Sequence, residues 1–410
     1  MNDPAAGRLV TPGFVALAVA TLAFFVAAGI VLPVSPTFAA EVLGADELGV
    51  GIAIASFSIT SLLLRPVVGW ASDRFGRRPL LLGGALLTVA ALGLHLLAED
   101  LTVFIAARSL LGAGEGFFFV ASIAAGADMA PEHRRGEAIS FLSLSLYLGI
   151  AIGPPIGEAA VGMTGGAYDA AWLIAIGVAV LAVALTWLVP ESAPAVLERA
   201  RSGARGPGAR GPLIHPAGLF PGFISLLGLW GMAGFFTFLP LHARQLGMGG
   251  AGVPFVLYAL VVVVLRVVGA KWPDRYGATR VSGAALVISA LGMAIIGLLP
   301  SPEGLIAGTF VFAVGVAFIM PALMSLAVSR VAPTERGSVS GTVTVFLDVS
   351  FGFAPVALGM IATRAGYEPT FLVSAALAAA GAALLVARRR SLEAPLPCPA
   401  DGRRPTREDG

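Results

Sequence analysis

The chain has 410 residues, of which 57% are hydrophobic and 12% charged, with a formal net charge of +2 and a mean hydropathy of +0.89. Soluble globular chains carry about a quarter charged residues, so this composition excludes an ordinary soluble enzyme or a nucleic-acid-binding domain and points to a membrane. The one cysteine, Cys398, and four scattered histidines exclude a disulfide framework and a Cys- or His-based metal centre.

Twelve apolar runs follow in chain order, each of about 18–25 residues and long enough as a helix to cross a ~30 Å hydrocarbon core. An open backbone cannot be satisfied in lipid, so each run is expected to be helical. The first six fall at 14–36, 48–70, 79–98, 101–125, 138–161 and 171–190. The first of them reads as a retained span rather than a cleaved signal peptide. Residues 190–216 are rich in Gly, Pro and Arg without apolar periodicity, which predicts a flexible linker. The second six fall at 219–241, 253–270, 281–299, 304–328, 339–362 and 369–387, and the polar residues 391–410 read as a disordered tail. The expected architecture is an all-α membrane protein of two six-helix bundles, 1–189 and 217–390, joined by the linker. Pro33, Pro154, Pro155, Pro240, Pro321 and Pro355 are expected to kink the spans that hold them.

Charge predicts the orientation. With both termini cytoplasmic, 21 of the 26 cations fall inside, only Arg244 and Arg364 fall outside, and Arg65, Arg108 and Arg266 lie within spans. That is a strong positive-inside bias. It predicts a multi-pass cell-membrane protein, with Trp70, Trp187 and Trp272 at the cytoplasmic interface and Trp172 at the outer one.

The halves echo each other. Arg65-Pro-Val-Val-Gly69-Trp-Ala-Ser-Asp73-Arg74-Phe75-Gly76-Arg77-Arg78 recurs as Arg266-Val-Val-Gly-Ala-Lys-Trp-Pro-Asp274-Arg275-Tyr276-Gly277, with the leading arginines 201 positions apart. Ala130-Pro131 recurs as Ala332-Pro333, and Gly153-Pro154 as Ala354-Pro355. Internal repeats among apolar runs are how many secondary transporters are built. The loop Gly69-x-x-x-Asp73-Arg74-x-Gly76-Arg77-Arg78 resembles the signature loop of the major facilitator superfamily, and its degenerate copy at Asp274, Arg275 and Gly277 stands where that family has its second copy. In span four, Arg108-Ser-Leu-Leu-Gly112-Ala-Gly114-Glu115 is similar to the family's Arg-x-x-Gln-Gly-x-Gly pattern. It departs at Leu111 and Glu115. In span five, Gly149-x-x-x-Gly153-Pro154-x-x-Gly157 resembles the motif of the family's proton-coupled drug antiporters, with Ser140 and Glu158 replacing two of its glycines. The resemblance covers the chain from span one to span twelve. It implies that Gly69, Asp73, Arg74, Gly76, Arg77, Arg78 and Asp128 form a conformational latch docked on span eleven.

Charges inside spans are the candidates for chemistry, because each costs about 2.5–3.5 kcal/mol at mid-membrane on insertion scales unless paired or wetted. Arg108 and Glu115 are seven residues apart, on one face of span four and about 10 Å along its axis. They read either as a structural ion pair or as a proton or substrate site. Asp348 lies near the middle of span eleven with no Arg or Lys in that span, and desolvation there disfavours the charged form, as a proton carrier requires. Glu158 stands nearer the outer end of span five. Arg65 and Arg266 are expected to snorkel or to pair with loop acids. Tyr147, Trp230, Phe24, Phe25, Phe117–Phe119, Phe235, Phe236 and Phe238 are candidate cavity aromatics.

No phosphate-binding loop, nucleophile elbow or metal motif stands out, so the sequence predicts no enzyme and no cofactor. The expected function is proton-coupled efflux of small apolar or amphiphilic molecules by alternating access, carried out by a monomer. A proton symporter or uniporter importing a small metabolite, and a non-transporting sensor on the same scaffold, remain open alternatives.

Overall fold

In the computed structural model the described residues are 9–131, 134–193, 198, 214–269, 271–329, 331 and 335–388. Most of the expected linker, and the tail with Cys398, lie outside them. All regular structure among the described residues is helical. The first half comprises α1 (Pro12–Glu41), α2 (Glu47–Phe75), α3 (Arg77–His95), α4 (Leu101–Met129), α5 (Arg135–Met163) and α6 (Asp169–Trp187). The second comprises α7 (Pro216–Gln245), α8 (Gly252–Val268), a five-residue α9 (Trp272–Tyr276), α10 (Ala278–Leu298), α11 (Pro302–Val328), α12 (Arg336–Ala365) and α13 (Glu368–Ala387). Among the described residues eleven helices are long and apolar enough to cross a membrane, and α8, at 17 residues, is the short twelfth. α1, α2, α4, α5, α7, α11 and α12 run two or more residues beyond the expected apolar runs, whereas α3, α6 and α8 end two or three residues before theirs.

Local signals fix those ends. Thr11, Asp46, Asp100 and Ser301 stand before α1, α2, α4 and α11, and each accepts a hydrogen bond from a backbone N–H of the first turn. Gly76, at φ +99°, both closes α2 and opens α3, and Gly277, at φ +89°, does the same between α9 and α10. The repeated glycine of the two loop motifs is thus a repeated positive-φ corner that only glycine adopts without strain.

Within the first half α1 packs on α5 and α6, and α4 packs on α2 and α3; α7 packs on α12 and α13, and α10 on α11 and α13, in the second. The span-five glycines make the α1–α5 crossing possible. A Cβ on Gly153 would stand 2.5 Å from Gly29 Cα, one on Gly149 would stand 2.5 Å from Phe25 Cβ, and one on Gly157 would strike the Ile30 carbonyl. Small residues let lipid-embedded helices approach until backbone meets backbone.

Many of the candidate aromatics belong to these packed interiors. Phe24 stacks on Phe118 with ring centres 4.1 Å apart, and both are fully buried within the first half. Phe235 and Phe236 cluster with Phe255, Tyr258 and Phe312 inside the second. Phe238, also fully buried, packs beside Tyr367. These rings hold each bundle together instead of lining a passage.

Candidate functional site

The halves meet along α2–α12, α5–α8 and α1–α7. The end of the bundle that carries the Arg77 and Arg275 loops is called here the basic end. At the opposite end the halves close on each other. Gly51 of α2 lies against the Pro355 carbonyl of α12, and a Cβ on Gly359 would stand 2.5 Å from the Glu47 carbonyl oxygen. Toward the basic end, a Cβ on Gly69 of α2 or on Gly341 of α12 would meet no described atom within 4 Å. Gly51 and Gly69 are 18 residues, about five turns, apart, as are Gly341 and Gly359, so each pair shares a helix face, and among the described residues the α2–α12 contact is tight at one end and open at the other.

Polar contacts seal the closed end. Arg244 of α7 forms an ion pair with Glu41, the last residue of α1, and donates to the Tyr168 hydroxyl at 3.2 Å. The Tyr168 hydroxyl donates in turn to Glu41 at 2.8 Å. Burial pushes this hydroxyl up to about 12, so it keeps its proton and remains a donor across the physiological range. The Ala251 amide, at the start of α8, donates to Glu158 Oε2 at 3.1 Å. Glu158 thus anchors α5 to the first turn of α8 at the closed end, and lies outside the central group that holds Asp348.

The central group is built by α2, α4 and α12. Arg65 Nη2 lies 2.6 Å from Asp348 Oδ2, and its Nη1 donates to Thr344 Oγ1 at 3.3 Å. One turn earlier on α2, Ser61 Oγ donates to Glu115 Oε2 at 2.5 Å. The side chains of Arg65 and Asp348 are only 19% and 13% exposed. Asp348 is therefore not the lone carboxylate that its own span suggests. Its partner comes from the other half, where the sequence spacing gives no hint of it. Arg65 does not snorkel: in a low-dielectric setting a carboxylate within hydrogen-bond reach outweighs a distant watery interface. Sequence reasoning placed Arg65 within a span but gave it to the interface or the loop acids, and not to Asp348. The signal that could have found it is a cation inside a span at the same repeat position as Arg266 in the other half.

Arg108 does not join Glu115. Its Nη1 donates to Ser35 Oγ of α1 at 3.4 Å, its guanidinium lies 5.2 Å from the Phe57 ring centre, and its residue is 2% exposed. It is sealed between α1, α2 and α4. Across the other interface the Arg266 guanidinium of α8 lies 3.5 Å from the ring centre of Tyr147 of α5. Trp230, midway along α7, is half-buried, and among the described residues its indole N–H has no hydrogen-bond partner.

The loop at the basic end is an assembled network within the first half. Arg77 Nε lies 3.0 Å from Asp128 Oδ2, and Arg77 Nη1 donates to the Ser72 carbonyl at 2.6 Å. The Arg77 and Arg78 amides donate to the Glu191 carboxylate at 2.9 and 3.1 Å, where a carboxylate complements the positive N-terminus of α3. Glu191 follows α6 and had no sequence motif to mark it. Arg78 Nη2 donates to the Trp187 carbonyl at 2.8 Å, and Arg74 lies over Trp70 and Phe75. Arg275 lies over Tyr276 in the degenerate copy. The side chains of Asp73 and Asp274 lie outside the described residues. Among the described residues no group of His, Cys, Asp and Glu is arranged to hold a metal.

The chain matches the family model described as Major Facilitator Superfamily over residues 17–272 and 249–407. It is 28% identical over 368 residues to the uncharacterised MFS-type transporter STM4428 of Salmonella typhimurium, covering 87% of this chain and 91% of that protein. It is also 28% identical over 374 residues to an uncharacterised MFS-type transporter of Burkholderia pseudomallei, with 89% of each chain covered. Among solved structures it resembles the human organic anion transporter MFSD10, with a TM-score of 0.68, 19% identity and coverage of 94% of this chain and 100% of that one. It also resembles a POT family transporter in complex with 5-aminolevulinic acid, with a TM-score of 0.76, 12% identity and coverage of 93% and 97%. At these identities the two structures share the fold alone. Two six-helix halves, the repeated loop and the family match agree: this chain belongs to the Major Facilitator Superfamily and is a multi-pass membrane transporter, not an enzyme.

Proposed function

We propose that the protein is a proton-coupled exporter of small apolar or amphiphilic molecules, working by alternating access. The observation that carries this reading is the Arg65–Asp348 pair, which joins the two halves near mid-span with Glu115 one helical turn away. A proton on Asp348 removes the charge that holds Arg65, and so loosens α2 from α12. Loss of that proton restores the pair. Binding of a proton and movement of the halves are then one event, which is the requirement for coupling. Glu115 is the second carrier, held by Ser61. The span-five motif and the scarcity of polar groups along the spans support efflux of apolar cargo. The cation asymmetry supports placing both termini and the basic end in the cytoplasm, which makes this conformation inward-facing.

The test is transport into and out of proteoliposomes under an imposed pH gradient. Glu115→Gln and Asp348→Asn should each abolish uphill export while exchange down the substrate's own gradient survives. Wild-type uphill export in both variants and in the double variant would remove these carboxylates from the coupling step. Orientation has its own check: in intact cells Cys398 should stay unlabelled by a membrane-impermeant thiol reagent and become labelled after permeabilisation.

A further inference from the structure

The two inter-half contacts are copies of one another. Arg65 and Arg266 stand 201 positions apart, and so do Tyr147 and Asp348. Both arginines lie in the second span of their half, and both partners in the fifth. The internal repeat has therefore placed an arginine across each interface, at the same register, and supplied a carboxylate to only one of them. Arg65 has Asp348 at 2.6 Å. Arg266 has the Tyr147 ring at 3.5 Å, and among the described residues no carboxylate lies within ion-pair distance of it. Its Nε is buried without a hydrogen-bond acceptor.

A guanidinium stacked on a ring uses one face and leaves its in-plane N–H donors unspent. A fixed cation between lipid-embedded halves, with donors unfilled, is a site for an anion. Arg108 is no competitor for that role, because it is walled in between α1, α2 and α4. Asp348 is occupied by Arg65, and Glu115 by Ser61.

We propose that Arg266, stacked on Tyr147, is an anion-binding subsite of the transport path, where the acid group of the cargo completes the ion pair that Asp348 completes in the other half. This rests on the reading of the protein as a transporter whose cargo passes between the halves, and it narrows the cargo to amphiphilic organic anions. A carboxylate or sulfonate accepts from the in-plane fork of Arg266, while an aromatic or aliphatic body packs on the apolar helix faces. The cargo's charge then bridges α8 and α5 as Asp348 bridges α12 and α2.

Counterflow exchange in proteoliposomes at equal pH on both sides tests the site apart from proton coupling. The probes are 1-naphthoate, 1-naphthalenemethanol and 1-naphthylmethylamine, which share one apolar body and differ in charge. Wild-type protein should prefer the naphthoate by about tenfold to a hundredfold, the range for one charge-assisted hydrogen-bonded contact. Arg266→Gln should collapse that preference. Tyr147→Asp should collapse it too, by installing the counter-charge that the twin position already has. Equal exchange of the three probes by wild-type protein overturns the proposal, and so does an anion preference that persists in either variant. If both variants fail to fold, as judged by thermal unfolding, the wild-type comparison decides alone. Uphill transport on a pH step without anion preference would leave proton coupling standing and remove only the anion site. Anion preference without a response to pH would do the reverse.

Discussion

At the scale of single residues, the chemistry of this protein turns on which buried charges find partners. The Arg65–Asp348 pair is mostly shielded from water, so removing one member leaves the other charge desolvated and uncompensated. Arg65→Gln should therefore destabilise the protein more than the double variant Arg65→Gln/Asp348→Asn, which leaves a neutral pair of similar shape. The expected interaction energy is about 1–3 kcal/mol, toward the upper end for contacting residues. A double-variant cycle of thermal unfolding in detergent measures it, and strictly additive effects would mean that the pair does not hold the halves together. Both arginines of the repeat were visible in the sequence. Their partners were not, because Asp348 and Tyr147 are separated from them by 283 and 119 positions of chain.

At the scale of elements, the glycines that resemble an antiport motif have a direct mechanical role in the α1–α5 crossing. Gly153 stands so close to Gly29 that any side chain must push the helices apart. Overpacking of this kind costs about 1–3 kcal/mol or more. Gly153→Leu should lower the thermal unfolding temperature and the yield of monodisperse protein, whereas Gly177→Leu should not, since a Cβ on Gly177 of α6 meets nothing within 4 Å. Equal tolerance at both positions would contradict the packing argument. The start of α3 offers a second test. Glu191→Gln keeps an acceptor oxygen for only one of the Arg77 and Arg78 amides and removes the negative charge at the helix N-terminus. It should cost about 1–2 kcal/mol, from one lost amide hydrogen bond and the lost charge–dipole contribution, and the second part should shrink at high salt.

At the scale of the whole molecule, alternating access requires the closed end to open. Glu41, Arg244 and Tyr168 join the first half to the second there, while α2 and α12 part toward the basic end. In a background with Cys398→Ser, the pair Glu41→Cys and Arg244→Cys, bridged by a bis-methanethiosulfonate cross-linker that spans the length of the two replaced side chains, should stop transport. Reduction should restore it. Transport that continues at full rate with the cross-link formed would mean that this end does not open during the cycle. The central Arg65–Asp348 contact lies between that closed end and the splayed one.

The sequence by itself determined the membrane class, the twelve helices, the two halves and the family, because each rests on local quantities: apolar length, caps, glycine corners and a repeated motif. It also marked Asp348, Glu115, Tyr147 and the three arginines within spans as positions that need an explanation. The tertiary structure alone decided the pairing. It gave Asp348 to Arg65 instead of leaving it alone, set Arg108 on Ser35 instead of Glu115, tied Glu158 to the Ala251 amide, and buried most of the candidate aromatics inside the bundles. The reason is physical. A helix fixes which residues share a face, but a charge in a low-dielectric interior is settled by whatever partner another helix brings within about 3 Å. Only the packing of the two halves brings that partner there.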